Sequence, residues 1–284
     1  MTAHVETATA RDFVGTQPSG DQVELSIVIP VRDEGANIIE TLQALHREVP
    51  VSHEILIVYD RDDDTTLPAV RQYGGHDCVA LIKNTLKTGP SGALRTGFAC
   101  ARGVRVLVVM ADRCDDLTQL QAMIRLVPAD ADVVCPSRYC AGGAQLLEGT
   151  PKIKIWLPRM AGWLLKHLAG LATADPTNSF KLYSAALLQE LQLSSTVSFS
   201  VTLEIIAKAH CLGRRIVEVP TVWRDRQHGK SHFRIGPSLL AYLPWFLLAL
   251  WRGRVVRVPS TWLQGRRMSP RVSTVRSMQA VTHG

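Results

Sequence analysis

The stretch from residue 106 to residue 116 constrains the fold most, because an apolar run, Val-Leu-Val-Val-Met-Ala, ends abruptly in acids. A short continuous apolar run of this kind is typical of a strand buried on both faces of a parallel sheet. Asp112, Asp115 and Asp116 follow at its carboxyl end, which is where open α/β sheets bind their ligands. We therefore predict that Asp112 faces a ligand. Either Asp115 or Asp116 is predicted to cap the helix that starts near Leu117.

Four other apolar runs have the same form, and each of them predicts a strand. They span residues 23–30, 53–59, 78–82 and 132–135. Segments with the apolar spacing of a helix separate the strands, at residues 38–45, 93–101 and 117–124. Strands that alternate with helices of this length predict an α/β fold, with a mostly parallel sheet flanked by helices.

Polar residues able to contact a nucleotide follow every predicted strand. They are Arg32, Glu34, Asp60, Lys87, Asp112 and Arg138. Because the carboxyl ends of parallel strands share one edge of a sheet, we expect these residues to form a single binding rim. The turn after the first strand, PVRDEG, lacks the G-x-G-x-x-G of dinucleotide-binding dehydrogenases, and the chain has no Walker P-loop. These two classes of nucleotide-binding protein are therefore excluded.

The net charge of +7 is concentrated at the carboxyl end of the chain, where seven arginines and no acid follow Trp251. A basic, disordered tail is predicted there. Such a tail can bind anionic lipid or nucleic acid, but no interleaving of basic and aromatic residues supports nucleic-acid binding. The six cysteines show neither CxxC pairs nor zinc-ligand spacing, which favours free thiols in a reducing compartment. The first 20 residues lack the apolar core of a signal peptide, so a cytoplasmic protein is expected.

Six ordered motifs in about the first 235 residues resemble those of glycosyltransferase family 2 enzymes of GT-A fold, and among these the polyprenyl (dolichol) phosphate mannosyltransferases. For example, PSRY is similar to the family's G-S-R-Y, and DPTNSFKLY is similar to D-x-T-S-G-F-R-x-Y. The matching segments are residues 27–34 (IVIPVRDE), 57–66 (IVYDRDDDTT), 89–97 (GPSGALRTG), 136–139 (PSRY), 175–183 (DPTNSFKLY), and 218–220 (EVP) with 226–232 (RQHGKSH).

Four positions depart from the family's pattern. Met110 stands where the family's D-A-D motif has its first acid, and Tyr59 replaces one of the paired acids after the second strand. Cys114 lies where some relatives have an amide ligand, and a thiol suits Mn²⁺ better than Mg²⁺. His232 replaces a phosphate-binding lysine. These changes concern the base and sugar of the donor more than the class of reaction.

The resemblance implies an inverting transfer of a sugar from a nucleotide sugar, GDP-mannose or a UDP-sugar, to a polyprenyl phosphate acceptor. It implies catalytic roles for Asp112, Arg226 and Glu204, although an acid in an apolar helix is more often a paired structural residue. It also implies Mg²⁺ or Mn²⁺ as cofactor, held by Asp112 with Asp115. The residues implied to bind the nucleotide sugar are Pro30, Arg32, Glu34, Asp60, Lys87, Ala111, Asp112, Arg138, Arg226 and His232.

Two segments are predicted to lie at a membrane surface. Residues 150–173 mix Trp and Leu with cations, which is typical of an interfacial helix, although a helix packed on the sheet fits equally well. Residues 239–251 are apolar but shorter than the roughly 20 residues of a spanning helix. An in-plane or re-entrant anchor is expected, and a helix that covers the sheet is the alternative. We accordingly predict peripheral association with the cytoplasmic face of the membrane.

The predicted division of the chain has four parts. They are a disordered segment at 1–22, the GT-A domain at 23–235, a hydrophobic membrane-associated helix at 236–253 and the basic disordered tail at 254–284. A protein that binds nucleotide sugars without transferring them remains the alternative function, because acids are missing at Met110 and Tyr59.

Overall fold

The computed structural model describes residues 11–13, 23–73, 78–127, 129–146, 152–224 and 235–252. Within these residues eight strands form one sheet, in the order β1-β4-β3-β2-β5-β8-β6-β9. These strands are β1 (Arg11–Phe13), β2 (Leu25–Val31), β3 (His53–Tyr59), β4 (Val79–Lys83), β5 (Arg105–Val108), β6 (Val133–Ser137), β8 (Lys181–Ser184) and β9 (Ile216–Pro220). Two short strands, β7 (Ala144–Leu146) and β10 (Val222–Arg224), pair in parallel beside this sheet.

The sheet is mostly parallel, as predicted. The pairs β3·β4, β2·β3, β2·β5 and β6·β9 are all parallel. Strand β8 runs antiparallel to both of its neighbours, β5 and β6. Its first residue, Lys181, is therefore paired with Val108, the last residue of β5. The reversal brings the start of β8 to the edge of the sheet where β2 to β6 end.

The prediction of disorder through residue 22 was wrong in one part. Residues Arg11–Phe13 form strand β1, which pairs antiparallel with β4 from Ala80 to Ile82. The polar composition of the segment gave no signal for a strand. A three-residue edge strand is held by backbone hydrogen bonds to its neighbour, which the side-chain pattern does not reveal.

Helices cover both faces of the sheet. Their bounds are α1 (Asn37–Glu48), α2 (Thr66–Gln72), α3 (Pro90–Cys100), α4 (Leu120–Leu126), α5 (Lys152–Ala169), α6 (Ala185–Glu190), α7 (Ser200–Cys211) and α8 (Ile235–Arg252). Alternate residues of a strand serve opposite faces, so Ile27 and Ile29 of β2 pack with α1, α2 and α4. Val28 lies between them and packs in the other layer, which α3 and α5 to α8 form.

Helix α3 approaches the sheet closely because residue 97 is a glycine. A Cβ atom added to Gly97 would lie 2.3 Å from Cγ1 of Val28 and 3.2 Å from Cγ2 of Val58. Only a residue without a side chain allows this contact. The close approach fixes the helix start, at Pro90, over the carboxyl ends of β2 and β3.

Helix α8 is docked on the globular part of the chain and also exposes an apolar face. Ala249 is fully buried, and Tyr242, Trp245 and Phe246 pack against the core layer that contains α7. Exposed leucines lie on the other side of the helix, with Leu240 exposed to 72%. Among the described helices, none has the length and apolar character needed to cross a bilayer.

Candidate active site

The exits of five strands and the start of a sixth lie side by side along one edge of the sheet. The order β4, β3, β2, β5, β8, β6 places the residues after β4, β3, β2 and β5, the first residue of β8, and the residues after β6 in one row. This arrangement is the rim that the sequence predicts.

The acidic loop, which we define as residues 110–116, is folded by its own carboxylates. The backbone N–H of Cys114 donates to Oδ1 of Asp112 at 3.2 Å, and that of Met110 donates to Oδ2 of Asp115 at 3.2 Å. The chain turns at Arg113, whose φ of 57° lies in the left-handed region. Asp116 accepts from the N–H of Thr118 at 3.1 Å and caps the 3₁₀ turn Leu117–Gln119. The predicted helix cap in this loop is therefore Asp116.

Asp112 and Asp115 lie close enough to influence each other's charge. Burial and then the charge of Asp112 raise the pKa of Asp115 to about 7, against the opposing effects of the Met110 N–H and of Arg138 and Lys181. Two carboxylates that repel each other in a partly buried loop favour a cation between them. The loop can therefore bind positive charge.

This donor set fits Mg²⁺ or Mn²⁺. Both cations prefer carboxylate oxygen, and Mg²⁺ is commonly held by one or two carboxylates together with substrate phosphates and water. Among the described residues, no third His, Cys or acidic ligand atom forms a close cluster with these two aspartates. Asp112 and Asp115 would thus hold the cation, and the diphosphate of a nucleotide would complete its coordination.

Asp60, at the end of β3, fixes the loop that precedes α3. Its carboxylate accepts from Nδ2 of Asn84 at 2.7 Å and from the N–H of Gly89 at 2.8 Å. Gly89 adopts a φ of 117°, a backbone conformation that is unfavourable for residues other than glycine. The buried Asn84 also accepts from Oγ1 of Thr96, at 2.8 Å. Lys87 is exposed in the same loop, so the loop is rigid at its base and presents a cation at its tip.

A buried aspartate, Asp64, organises the exit of β2. Oδ2 of Asp64 accepts from the N–H of Asp33 at 3.1 Å, and its Oδ1 accepts from the N–H of Thr66 at 2.9 Å. Glu34 donates its backbone N–H to Oγ1 of Thr66, at 3.1 Å. Arg32 is exposed beside them. Asp64 is therefore a structural anchor that leaves Arg32 and Glu34 at the rim.

Arg138, at the exit of β6, is held by a buried partner that the sequence reasoning missed. Its Nε and Nη2 donate to the two carboxylate oxygens of Asp175 at 2.6 and 2.8 Å, and its backbone N–H donates to Oδ2 at 3.1 Å. Burial raises the pKa of Asp175, but the Arg138 guanidinium outweighs this and the pKa lies below its ordinary value. The bidentate pair fixes Arg138 on the rim, with Tyr139 and Trp223 stacked around its guanidinium at 5.1 and 6.0 Å.

Lys181 is the second residue that the sequence reasoning missed. It is fully buried at the start of β8, and its Nζ donates to the carbonyl of Asp175 at 3.2 Å and also to that of Asn178. Burial lowers the pKa of this lysine. Its position follows from the reversed direction of β8. The motif DPTNSFKLY contains both missed residues, so the family pattern was the signal that could have found them.

The structure contradicts the implied catalytic role of Glu204. This residue is fully buried in α7, and its carboxylate accepts from the N–H groups of Ser194 and Ser195, both at 2.8 Å. It also pairs with Lys208, one helical turn away, at 2.6 Å. A carboxylate enclosed by these groups cannot reach a substrate, so Glu204 is a paired structural residue.

The remaining implied site residues divide into two groups. Pro30 is buried near the end of β2. The carbonyl of Ala111 accepts a hydrogen bond from Oγ1 of Thr41 at 3.0 Å. Pro30 and Ala111 therefore contribute to the shape of the rim. Arg226 and His232 lie outside the described residues. The described chain that precedes them is tethered to the acidic loop, because the N–H of Arg224 donates to the carbonyl of Cys114 at 3.1 Å.

Comparisons with known proteins identify a family and several relatives that this chain resembles. The family model for glycosyl transferase family 2 matches residues 26–192. The undecaprenyl-phosphate mannosyltransferase of Micrococcus luteus is 31% identical over 242 residues, which cover 81% of this chain and 97% of the relative. The polyprenol monophosphomannose synthase of Mycolicibacterium smegmatis is 29% identical over 240 residues, covering 81% of this chain and 88% of the relative.

A solved structure shares the fold at lower sequence identity. Glucosyl-3-phosphoglycerate synthase from Mycobacterium tuberculosis, in complex with Mn²⁺, UDP and glucosyl-3-phosphoglycerate, superimposes with a TM-score of 0.56 at 16% identity. The match covers 81% of this chain and 80% of the synthase. At this identity the likeness concerns the fold alone.

Proposed function

Because the chain belongs to glycosyl transferase family 2, we propose that it transfers a sugar from a nucleoside diphosphate sugar to a polyprenyl phosphate with inversion at the anomeric carbon. The observation that carries this proposal is the acidic loop at the end of β5, which lies between the polar exit of β2 on one side and the start of β8 and the exit of β6 on the other. The names of the two bacterial relatives support the acceptor class. GDP-mannose and UDP-sugars are the candidate donors.

The proposed donor site has one part for each portion of the nucleotide sugar. Arg32, Glu34 and Asp60, after β2 and β3, are proposed to contact the base and ribose, and Lys87 would add positive charge. Asp112 and Asp115 would hold Mg²⁺ or Mn²⁺, which supplies positive charge to the diphosphate when bound.

Arginine and histidine would stabilise the leaving diphosphate. Arg226 and His232 would donate charge-assisted hydrogen bonds to it, and the tether between Arg224 and Cys114 supports this role for Arg226. Arg138 is already paired with Asp175, so its task is to position the β6 exit.

The acceptor supplies its own nucleophile. The second pKa of a phosphate monoester is about 6, so a polyprenyl phosphate is largely dianionic at neutral pH. Its oxygen can attack the anomeric carbon directly while the nucleoside diphosphate leaves from the opposite side. A general base is unnecessary, which agrees with the structural role of Glu204.

Turnover assays with a matched pair of variants test the transfer. Full-length protein is incubated with GDP-mannose, UDP-sugars and undecaprenyl phosphate in the presence of Mn²⁺ or Mg²⁺, and the lipid-linked product is quantified. Asp112→Asn should lower kcat by at least about 100-fold, whereas Asp116→Asn retains a good helix cap and should keep activity. Equal turnover by the two variants would contradict the site. Tight binding of nucleoside diphosphate without any transfer would favour the non-catalytic alternative.

Helices α5 and α8 are proposed to lie on the cytoplasmic face of the membrane. The two helices pack against each other, and neither contains an acid. We define the apolar surface by the exposed residues Trp156, Trp163, Leu168, Leu239, Leu240, Leu243, Leu247 and Trp251. Large exposed apolar patches mark interaction sites, and Trp and Leu beside cations suit the interface of an anionic lipid bilayer.

Point substitutions test this surface better than truncation after Arg234, because truncation also removes the buried Ala249 from the core. The triple variant Leu240→Gln, Leu243→Gln, Leu247→Gln should stay folded and lose most of its sedimentation with vesicles that contain anionic lipid. Val104→Gln changes an apolar residue exposed to 39% elsewhere and should sediment like the unchanged protein. Equal sedimentation of the triple variant and this control would refute the membrane surface.

A further inference from the structure

Two histidines and a cysteine cluster at the edge of the sheet opposite to the acidic loop, where the parallel strands begin. His46 is in the last turn of α1, His53 is the first residue of β3, and Cys78 immediately precedes β4. One ligand atom from each residue lies within 4.8 Å of the other two. The backbone fixes two of the segments together, because the N–H of Ile55 donates to the carbonyl of Cys78 at 2.7 Å.

His53 is oriented as a metal ligand requires. Its Nδ1 lies 2.8 Å from the carbonyl oxygen of Val51, which can only accept, so Nδ1 carries the proton. The lone pair of the neutral ring is then on Nε2, which lies 3.8 Å from Sγ of Cys78. Histidines that bind metals usually donate their other ring N–H to a carbonyl or carboxylate in this way. The ring of His46 completes the cluster, edge-on to that of His53 with 6.3 Å between centroids.

The spacing matches a tetrahedral zinc site. Zn–N bonds of 2.0 to 2.1 Å and Zn–S bonds of about 2.3 Å, at the tetrahedral angle, separate the nitrogen and the sulfur by about 3.6 Å. The 3.8 Å between Nε2 of His53 and Sγ of Cys78 is close to that value. His46 is exposed, so its ring can move the short distance that the third bond requires.

We propose that His46, His53 and Cys78 bind Zn²⁺, with the fourth position open to water. Two imidazoles and a thiolate select zinc over the hard cations Mg²⁺ and Mn²⁺, so the site is chemically distinct from the acidic loop. The ion joins the end of α1 to the starts of β3 and β4. Its effect is to stabilise this edge of the domain, and transfer does not depend on it.

Cobalt substitution tests the site directly. Untagged, reduced, full-length protein is freed of metal and titrated with Co²⁺ in the presence of excess Mg²⁺. One equivalent of Co²⁺ should produce thiolate-to-cobalt charge-transfer absorption, and Zn²⁺ should abolish it. Cys78→Ser should remove this absorption, while Cys140→Ser, which changes another partly buried cysteine, should retain it. Asp112→Asn should also retain it, which separates this site from the proposed donor site.

Measurements of metal affinity on a variant of an exposed residue separate loss of the site from loss of folding. His46→Ala changes an exposed residue and should weaken Co²⁺ and Zn²⁺ binding by at least about tenfold, with an unchanged circular dichroism spectrum. Zinc should raise the melting temperature of the unchanged protein and not that of Cys78→Ser. The proposal is overturned if the unchanged protein shows no charge-transfer absorption, or if His46→Ala binds Zn²⁺ as tightly as the unchanged protein.

Discussion

Replacing Asp115 with asparagine should stabilise the metal-free protein, and the gain should grow with pH. The folded protein raises the pKa of Asp115 from 3.8 to about 7, so the folded state retains a proton that the unfolded chain has already lost between these two values. Stability from this carboxyl group is therefore present below pH 4 and is lost as the pH rises to 7. Asparagine does not titrate and keeps an oxygen acceptor for the N–H of Met110.

The size of this stability gain follows from the shift in the pKa of Asp115. Each pKa unit corresponds to about 1.4 kcal/mol, so the stability gained by Asp115→Asn should rise by about that amount per pH unit and reach at most about 4 kcal/mol above pH 7. Because the charge of Asp112 is one cause of the shift, the gain should be smaller in an Asp112→Asn background.

Urea unfolding at pH 5 and pH 8, in the presence of a chelator, measures the effect. The difference between Asp115→Asn and the unchanged protein should be larger at pH 8 by roughly 2 to 3 kcal/mol. Adding Mn²⁺ at pH 8 should stabilise the unchanged protein more than the variant, because the cation neutralises the two acids. A difference that is the same at both pH values would refute the raised pKa of Asp115, and an equal gain in the Asp112→Asn background would refute the contribution of Asp112 to it.

Three further predictions concern buried contacts. Asp175→Asn leaves the Arg138 guanidinium without its charged partner and should lower the free energy of unfolding by about 3 to 5 kcal/mol, as urea titration would show. Glu204→Gln should lower the free energy of unfolding by a similar amount but keep kcat at temperatures where the variant is folded. A loss of kcat in the folded variant would show that Glu204 has a catalytic role. Gly97→Ala should lower the free energy of unfolding by about 1 to 3 kcal/mol, because the added methyl group clashes with Val28. Alanine alone favours helices, so an increase in the denaturation midpoint would contradict that contact.

Local patterns were sufficient to predict the parallel part of the sheet. Strand β3 begins and ends at the predicted residues, His53 and Tyr59, because a strand buried on both faces is a continuous apolar run. The mostly parallel α/β sheet and the GT-A fold implied by the family motifs are confirmed. The cap of the acidic loop was also predictable, because Asp116 and Thr118 are neighbours in the sequence.

Contacts between distant residues were not predictable in the same way. Arg138 and Asp175 are 37 residues apart, and their pairing depends on the reversal of β8, which no local pattern indicates. Cys78 shows no zinc-ligand spacing because its neighbours in the cluster lie on other segments of the fold. The structural role of Glu204 was predictable from the sequence, in contrast. Its partner, Lys208, lies four residues away on the same helix, and this spacing is typical of an ion pair within a helix.

Strand β1 has a consequence for anyone who shortens the chain. Its backbone pairs with β4, which would otherwise be the outermost strand on that side of the sheet. β4 is short and largely apolar, with the sequence VALIK, and an uncovered strand of this composition offers free hydrogen-bonding groups to another molecule. Removing residues 1–22 as dispensable would uncover that strand, and self-association of the shortened protein through β4 is the result to expect.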